Sequence, residues 1–160
     1  MNNPKFLVDE MLGTLARWLR VMGYDAKYVR NMVNGDILKL AHEDSRILLT
    51  RDKELAKRSG TGIILLKGNN IIDQLGDLIY RLDLIFDKER TRCTICNYAL
   101  ILADKNKVEE HVPARVLENH QEFLICPRCE RIYWKGTHWI DICNHIGEAM
   151  QRAKRYHDPR

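Results

Sequence analysis

KFLVDEMLGTLARWLRVMG, residues 5–23, contains the pattern that decides the fold class. Residues 5–8 form a short, mostly apolar run of the kind that makes a buried strand. Apolar residues then recur at helical spacing, and Gly23 supplies a stop. These helix-spaced residues are Leu12, Leu15, Ala16, Leu19 and Met22. A strand followed at once by an amphipathic helix is the start of a βα unit.

The same alternation continues to about residue 85. Strands are predicted at residues 24–29, 46–50 and 63–66, and helices at residues 36–42, 53–58 and 71–84. Alternating strands and helices are typical of parallel strands joined by crossover helices. The sequence therefore predicts an α/β domain with a mostly parallel sheet.

The polar run DKERTR at residues 87–92 marks a change of composition. We expect an α/β domain at residues 1–88, a cysteine-bearing stretch at 89–140, and a C-terminal helix and tail at 141–160. No run approaches the roughly 20 apolar residues of a membrane span, and residues 1–3 begin no signal sequence. A cytoplasmic protein without a membrane partner is the expectation.

The chain carries a mild excess of positive charge. Its 26 basic and 22 acidic residues give a net charge of +4. Such an excess is compatible with nucleic acid as a partner, but does not by itself indicate one.

Four of the five cysteines form two close pairs, Cys93-x-x-Cys96 and Cys126-x-x-Cys129. Each pair can direct two thiolates at one ion, and the four together complete a tetrahedral zinc site. Redox-active or unpaired thiols, and iron in place of zinc, are the alternatives. A site whose four positions are all filled by protein leaves no place for substrate, so we expect this zinc to be structural.

Aspartates occupy three matched places in the predicted α/β domain. Asp9 directly follows the first strand, Asp52 follows the third, and Asp36 opens the helix after the second. All three would lie at the carboxyl edge of the sheet, where ligands bind. Neighbouring carboxylates repel one another unless a divalent cation lies between them. We therefore expect these aspartates to be catalytic and to bind Mg²⁺ or Mn²⁺ for phosphodiester chemistry.

Polar residues near the aspartates are candidates for binding substrate. Arg17 and Arg20 lie on the first helix, and Thr50 and Arg51 come just before Asp52. The arginines could hold phosphates, and Thr50 could support the site by hydrogen bonding. The alternative is structural, because Asp is a preferred helix N-cap and a basic helix face is often only solvated.

Aromatic and metal-binding side chains also occur near the C-terminus. Three aromatic residues lie close in sequence to three basic ones: Tyr133, Trp134 and Trp139 with Arg128, Arg131 and Lys135. They could stack on bases, or form the small core of the cysteine-bearing stretch. A further set, His138, Cys143 and His145, fits either a second metal site or a partly buried helix.

Several motifs together resemble the Mut-seven C-terminal RNase family. They are DEMLG at residues 9–13, LARWLR at 15–20, GYD at 23–25, ILLTRD at 47–52, YWKGTHW at 133–139, and both cysteine pairs. The resemblance implies a three-layer PIN-like nuclease domain with a C-terminal zinc ribbon, RNA as substrate and Mg²⁺ or Mn²⁺ as cofactor. It assigns the acidic metal ligands to Asp9, Asp36 and Asp52, and the zinc ligands to the four paired cysteines.

The expected function is that of a metal-dependent ribonuclease that hydrolyses RNA phosphodiester bonds. One alternative is a non-catalytic zinc-ribbon protein that binds RNA or a protein partner. Another keeps the metal chemistry but acts on DNA or a phosphomonoester, because these carboxylates do not read the 2′-hydroxyl.

Overall fold

A computed structural model describes residues 3–58 and 62–157 of the chain. The first elements are β1 (Phe6–Val8), α1 (Gly13–Val21), β2 (Ala26–Tyr28), α2 (Asn34–Glu43), β3 (Ile47–Thr50), α3 (Lys53–Lys57), β4 (Ile63–Leu65) and α4 (Ile71–Leu82). The later elements are β5 (Ile101–Leu102), α5 (Lys105–His111), α6 (Ala114–Asn119), β6 (Leu124–Ile125), β7 (Ile132–Tyr133) and α7 (Thr137–His157). Short 3₁₀ turns at Glu10–Leu12 and Lys88–Arg90 complete the pattern.

The first four strands form one parallel sheet in the order β2-β1-β3-β4. Helices cover both faces, because the side chains of each strand alternate between them. Phe6 and Val8 pack with apolar residues of α1, α4 and α7, whereas Leu7 packs with residues of α2 and α3. The predicted three-layer α/β domain with a parallel sheet is confirmed.

The C-terminal helix α7 packs on α4 and becomes part of the α/β core. Ile146 and Ala149 are fully buried there. Gly76 of α4 permits this close approach, because a β-carbon at that position would lie 3.2 Å from the carbonyl oxygen of Ala149. The helix begins at Thr137, four residues before the start expected from the sequence.

The cysteine module, residues 92–135, has its own small sheet. Its three described strands are antiparallel in the order β5-β6-β7. The long gap between the cysteine pairs contains β5, α5, α6 and β6. Val108, Val112 and Phe123 form the core beneath the two helices.

The cysteine module is hydrogen-bonded to the α/β domain. Asn97 accepts a bond from the backbone N–H of Ala26 at 3.0 Å and donates one to Asp25 at 2.7 Å. The backbone N–H of Arg92 donates to the carbonyl oxygen of Arg20 at 2.9 Å. The first cysteine turn therefore lies against the beginning of β2.

The predicted division at residues 88 and 140 stays a prediction; residues 1–2 and the tail residues 158–160 lie outside the described part. Among the described helices, none is long and apolar enough to cross a membrane.

Candidate functional site

The order of the strands creates a site at the carboxyl edge of the parallel sheet. The chain leaves β1 for β2 on one side and returns to β3 on the other. Ligands bind at such a switch point in open α/β sheets. Asp9 follows β1 and Asp52 lies two residues beyond β3, so both aspartates flank this point.

A short chain of hydrogen bonds links the ends of β1 and β3. The hydroxyl of Thr50 donates to Asp9 Oδ2 at 2.8 Å and accepts from the backbone N–H of Asp52 at 3.0 Å. Asp9 is only 8% exposed, and its Oδ1 accepts from the backbone N–H of Glu10 at 2.8 Å. Thr50 therefore fixes the two strand ends relative to each other.

Asp52 is the N-cap of α3. Its Oδ1 accepts from the backbone N–H groups of Glu54 and Leu55 at 2.7 and 3.1 Å. The N–H groups of Leu55 and then Glu54 are the main causes that lower the pKa of Asp52, with a smaller contribution from the Asn34 side chain. The carboxyl group is therefore held as an anion.

Asp36 lies in the first turn of α2, and its side chain is exposed. The side chain of Asn34, the first residue of this helix, lies close enough to Asp52 to help lower the pKa of its carboxyl group. The beginning of α2 is thus at the same edge as the ends of β1 and β3. No motif in the sequence identifies Asn34 as part of the site. Only its position two residues before Asp36 could have suggested it.

We call the carboxyl edge with Asp9, Asp36 and Asp52 the aspartate edge. These three carboxylates do not form a tight ligand cluster. Among the described residues, only the four paired cysteines place three or more His, Cys, Asp or Glu ligand atoms all within 4.8 Å of one another. An ion such as Mg²⁺ usually keeps several waters and uses one or two carboxylates directly, so a looser group still fits it.

The four residues expected to bind substrate lie in different surroundings. Arg17 is exposed, and Arg51 donates to Asn69 at 3.3 Å. Thr50 is fully buried, which suits positioning the aspartates better than contacting substrate. Arg20 is 6% exposed and donates to three main-chain carbonyl groups, so most of its donors hold the fold together.

The carboxylate of Asp73, near the start of α4, is engaged by two other side chains. Its Oδ1 pairs with Arg152 of α7 at 2.7 Å, and its Oδ2 accepts from the side chain of Asn70 at 2.8 Å. These contacts tie the beginning of α4 to α7.

The four paired cysteines have the geometry of a tetrahedral metal site. All five cysteines of the chain are free thiols. Cys93 Sγ lies 3.7 Å from Cys129 Sγ, and Zn–S bonds of about 2.3 Å would place two sulfurs about 3.8 Å apart. The two turns are alike, because Asn97 and Glu130, which follow the second cysteine of each pair, both have positive φ.

The ionisation of the thiols also favours a cation among them. The neighbouring Cys129 raises the pKa of Cys96 to about 12. Burial works to raise the pKa of Cys93, but hydrogen bonds with Tyr133 and with backbone N–H groups outweigh it and lower this pKa. Four adjacent sulfurs cannot all become thiolates without a positive charge between them.

The C-terminal aromatic residues have mixed surroundings. The hydroxyl of Tyr133 lies 3.1 Å from Cys93 Sγ, and the ring of Trp139 packs against Phe86. Trp134 is 39% exposed. Tyr133 and Trp139 thus serve the core of this region, and His138, Cys143 and His145 form no metal-binding group among the described residues.

Residues 4–146 match the model of one protein family, described as the Mut7-C RNAse domain. No curated protein matches the chain, and no solved structure matches it. The matched stretch begins before β1 and ends within α7, so it contains the aspartate edge and all four paired cysteines. The chain therefore belongs to the Mut7-C RNAse domain family.

Proposed function

We propose that the chain is a metal-dependent ribonuclease that hydrolyses RNA phosphodiester bonds at the aspartate edge. Asp9, Asp36 and Asp52 would hold Mg²⁺ or Mn²⁺. The observation that carries the proposal is the Asp9–Thr50–Asp52 hydrogen-bond chain at the switch point of the sheet. Membership in a ribonuclease family supports RNA as the substrate.

The residues present fit a divalent cation. Each of Asp9 and Asp52 uses Oδ1 to cap the following turn, which fixes the direction of its carboxylate. Backbone N–H groups lower the pKa of Asp52, which favours the ionised form that a cation needs. Oxygen ligands of this kind are the ones that Mg²⁺ and Mn²⁺ prefer.

The chain's own residues would position the reaction. Asp9 and Asp52 are held by the ends of β1 and β3, and Asp36 approaches from the exposed first turn of α2. A bound cation would help deprotonate the attacking water and offset the charge that grows on the phosphodiester. Arg17 and Arg51 would bind neighbouring phosphates.

We also propose that Cys93, Cys96, Cys126 and Cys129 bind one structural zinc ion. The separation of 3.7 Å between two of the sulfurs suits tetrahedral zinc. The ion would hold together the two cysteine turns, whose own apolar core is small.

Asp52→Asn tests the catalytic proposal with little disturbance of the fold. Asn caps helices about as well as Asp, so α3 should remain intact while the anionic ligand is lost. We expect this variant to bind labelled single-stranded RNA as the parent does in EDTA, and to cleave it at least about 1,000-fold more slowly in Mn²⁺. Asp73→Asn, at the α4–α7 contact, is the matched control and should keep cleaving.

A panel of substrates separates this proposal from its alternatives. Cleavage of DNA or a phosphomonoester in preference to RNA would keep the metal site but change the substrate. RNA binding without cleavage in either cation would instead favour the non-catalytic binding module.

A further inference from the structure

A cleft extends from Glu10, the residue after Asp9, to the first cysteine turn. Its volume is about 550 Å³. Glu10 and Met11, just after Asp9, form one wall, and Thr94 and Ile95 of the cysteine turn form the other. Arg17 of α1 also lines it. We call this space the arginine cleft.

The arginine cleft holds more positive charge than the fold neutralises. Arg17, Arg20 and Arg30 all line it, and Glu10 is its only acidic lining residue. In the described part of the chain, no hydrogen bond or ion pair is made by the guanidinium group of Arg17 or of Arg30. Burial lowers the pKa of Arg20, the nearby thiol of Cys93 acts in the opposite direction, and repulsion from Arg17 lowers this pKa further. An anion in the cleft would relieve this repulsion.

The walls of the arginine cleft are fixed by hydrogen bonds. Arg20 Nη1 donates to the carbonyl oxygens of Thr94 and Ile95 at 2.7 and 3.2 Å. Its Nε donates to the carbonyl oxygen of Ala26 at 2.9 Å, which anchors the guanidinium group to β2. The cysteine turn is thereby held at a set distance from the aspartate edge.

The floor of the arginine cleft is equally defined. Tyr28 donates from its hydroxyl to the carbonyl oxygen of Glu10 at 2.7 Å. A β-carbon at Gly13 would lie only 3.1 Å from the Tyr28 ring, so glycine permits this approach. The arginine side chains thus surround a space that is already formed.

Apolar side chains stand at both walls. Met11 is 65% exposed and Ile95 is 48% exposed. Exposed apolar groups can contact the base of a single-stranded nucleotide, and nearby guanidinium groups without a protein partner can contact its phosphate. A double helix would keep its bases stacked and away from these side chains.

We infer that the arginine cleft binds one nucleotide of single-stranded RNA next to the bond that is cut. Arg17 and Arg30 contact its phosphate, and Met11 and Ile95 contact its base. This inference rests on the proposed ribonuclease function and adds the cysteine turn to the substrate-binding surface. The cysteine module thereby takes part in RNA recognition.

Fluorescence anisotropy with a labelled oligouridylate in EDTA measures binding without cleavage. Each lost phosphate contact should reduce the salt slope by about 0.7, which at roughly 0.1 M salt is about a 5-fold loss of affinity. Arg17→Gln with Arg30→Gln should therefore weaken binding about 25-fold and lower the slope by about 1.4. Arg115→Gln, at an exposed arginine of α6, is the control and should bind as the parent does.

Glu10→Gln should change RNA affinity in the opposite direction, because it removes the negative charge of the acidic residue that lines the cleft. It should bind the same RNA more tightly than the parent. A loss of affinity in this variant would overturn the inference.

The outcomes separate the arginine cleft from the ribonuclease proposal. If the double arginine variant binds RNA with the affinity and salt slope of the parent, RNA binding in the arginine cleft is overturned, even if the parent cleaves RNA. If the parent binds RNA but never cuts it, and the double arginine variant shows the predicted losses of affinity and salt slope, the cleft is supported and the nuclease proposal is overturned. A parent that neither binds nor cuts RNA overturns both.

Discussion

At the scale of single residues, the aspartates were predictable from sequence, whereas their supports were not. An aspartate that follows a strand of a parallel sheet must lie near the carboxyl edge, so Asp9 and Asp52 follow from the strand pattern alone. Asn34 and Arg30 lie in or next to the loop between β2 and α2, and no periodic pattern reports the path of a loop. Their closeness to the site therefore needed the three-dimensional structure.

Thr50→Val tests whether the buried hydroxyl positions the two aspartates. Valine has nearly the same shape but leaves Asp9 Oδ2 without this donor and the Asp52 N–H without its acceptor. We expect kcat for RNA cleavage to fall about 10- to 100-fold with KM nearly unchanged, and stability to fall by about 1–2 kcal/mol. Thr50→Ser keeps the hydroxyl and should restore most of kcat. If both variants matched the parent in kcat, Thr50 would have no positioning role.

At the scale of elements, the strands and helices of the α/β domain follow closely from the sequence. Their observed bounds differ from the predicted ones by one or two residues at most ends, which is the usual uncertainty at helix and strand ends. The helices α5 and α6 were not predicted, because each is too short to show a clear apolar period. The partner of α7 was equally hidden, since an apolar stripe does not reveal which surface will cover it.

Ile146→Ala tests how much α7 contributes to the α/β core. Ile146 is fully buried in the same cluster as Leu75 and Leu78 of α4. Removing most of its side chain should lower the free energy of unfolding by about 2–5 kcal/mol. Met150→Ala, at a 38% exposed position of the same helix, should cost less than about 1 kcal/mol. Urea unfolding measures the loss of stability in each variant. An equally small loss in both would mean that α7 is only loosely attached.

At the scale of the whole molecule, the sequence indicated an α/β domain and a cysteine-bearing stretch but not the contact between them. The polar run at residues 87–92 marks the predicted boundary, yet within it the hydroxyl of Thr91 donates to the carbonyl oxygen of Val21. Arg20 and Asn97 then join residues more than 70 positions apart, largely through main-chain groups that have no sequence signature. The cysteine module is consequently held against the α/β domain that carries the aspartate edge.

Removal of zinc should therefore affect more than the cysteine module. We expect about one zinc ion per purified chain, and its removal by a strong chelator should unfold residues 92–135. Without the cysteine turn, the contacts of Arg20 with Thr94 and Ile95 are lost and RNA binding should weaken, while the parallel sheet stays folded. Metal analysis, limited proteolysis and RNA binding measure the three effects. A stoichiometric absence of zinc with all cysteines reduced would contradict this part of the account.

The most direct test of the central claim is the rate of cleavage of single-stranded RNA as Mn²⁺ is added, for the parent and for Asp9→Asn. We expect no cleavage in EDTA, a rate that saturates with Mn²⁺ in the parent, and a rate at least about 1,000-fold lower in the variant. Cleavage in EDTA, or an Asp9→Asn variant as fast as the parent, would contradict a metal-dependent nuclease at the aspartate edge.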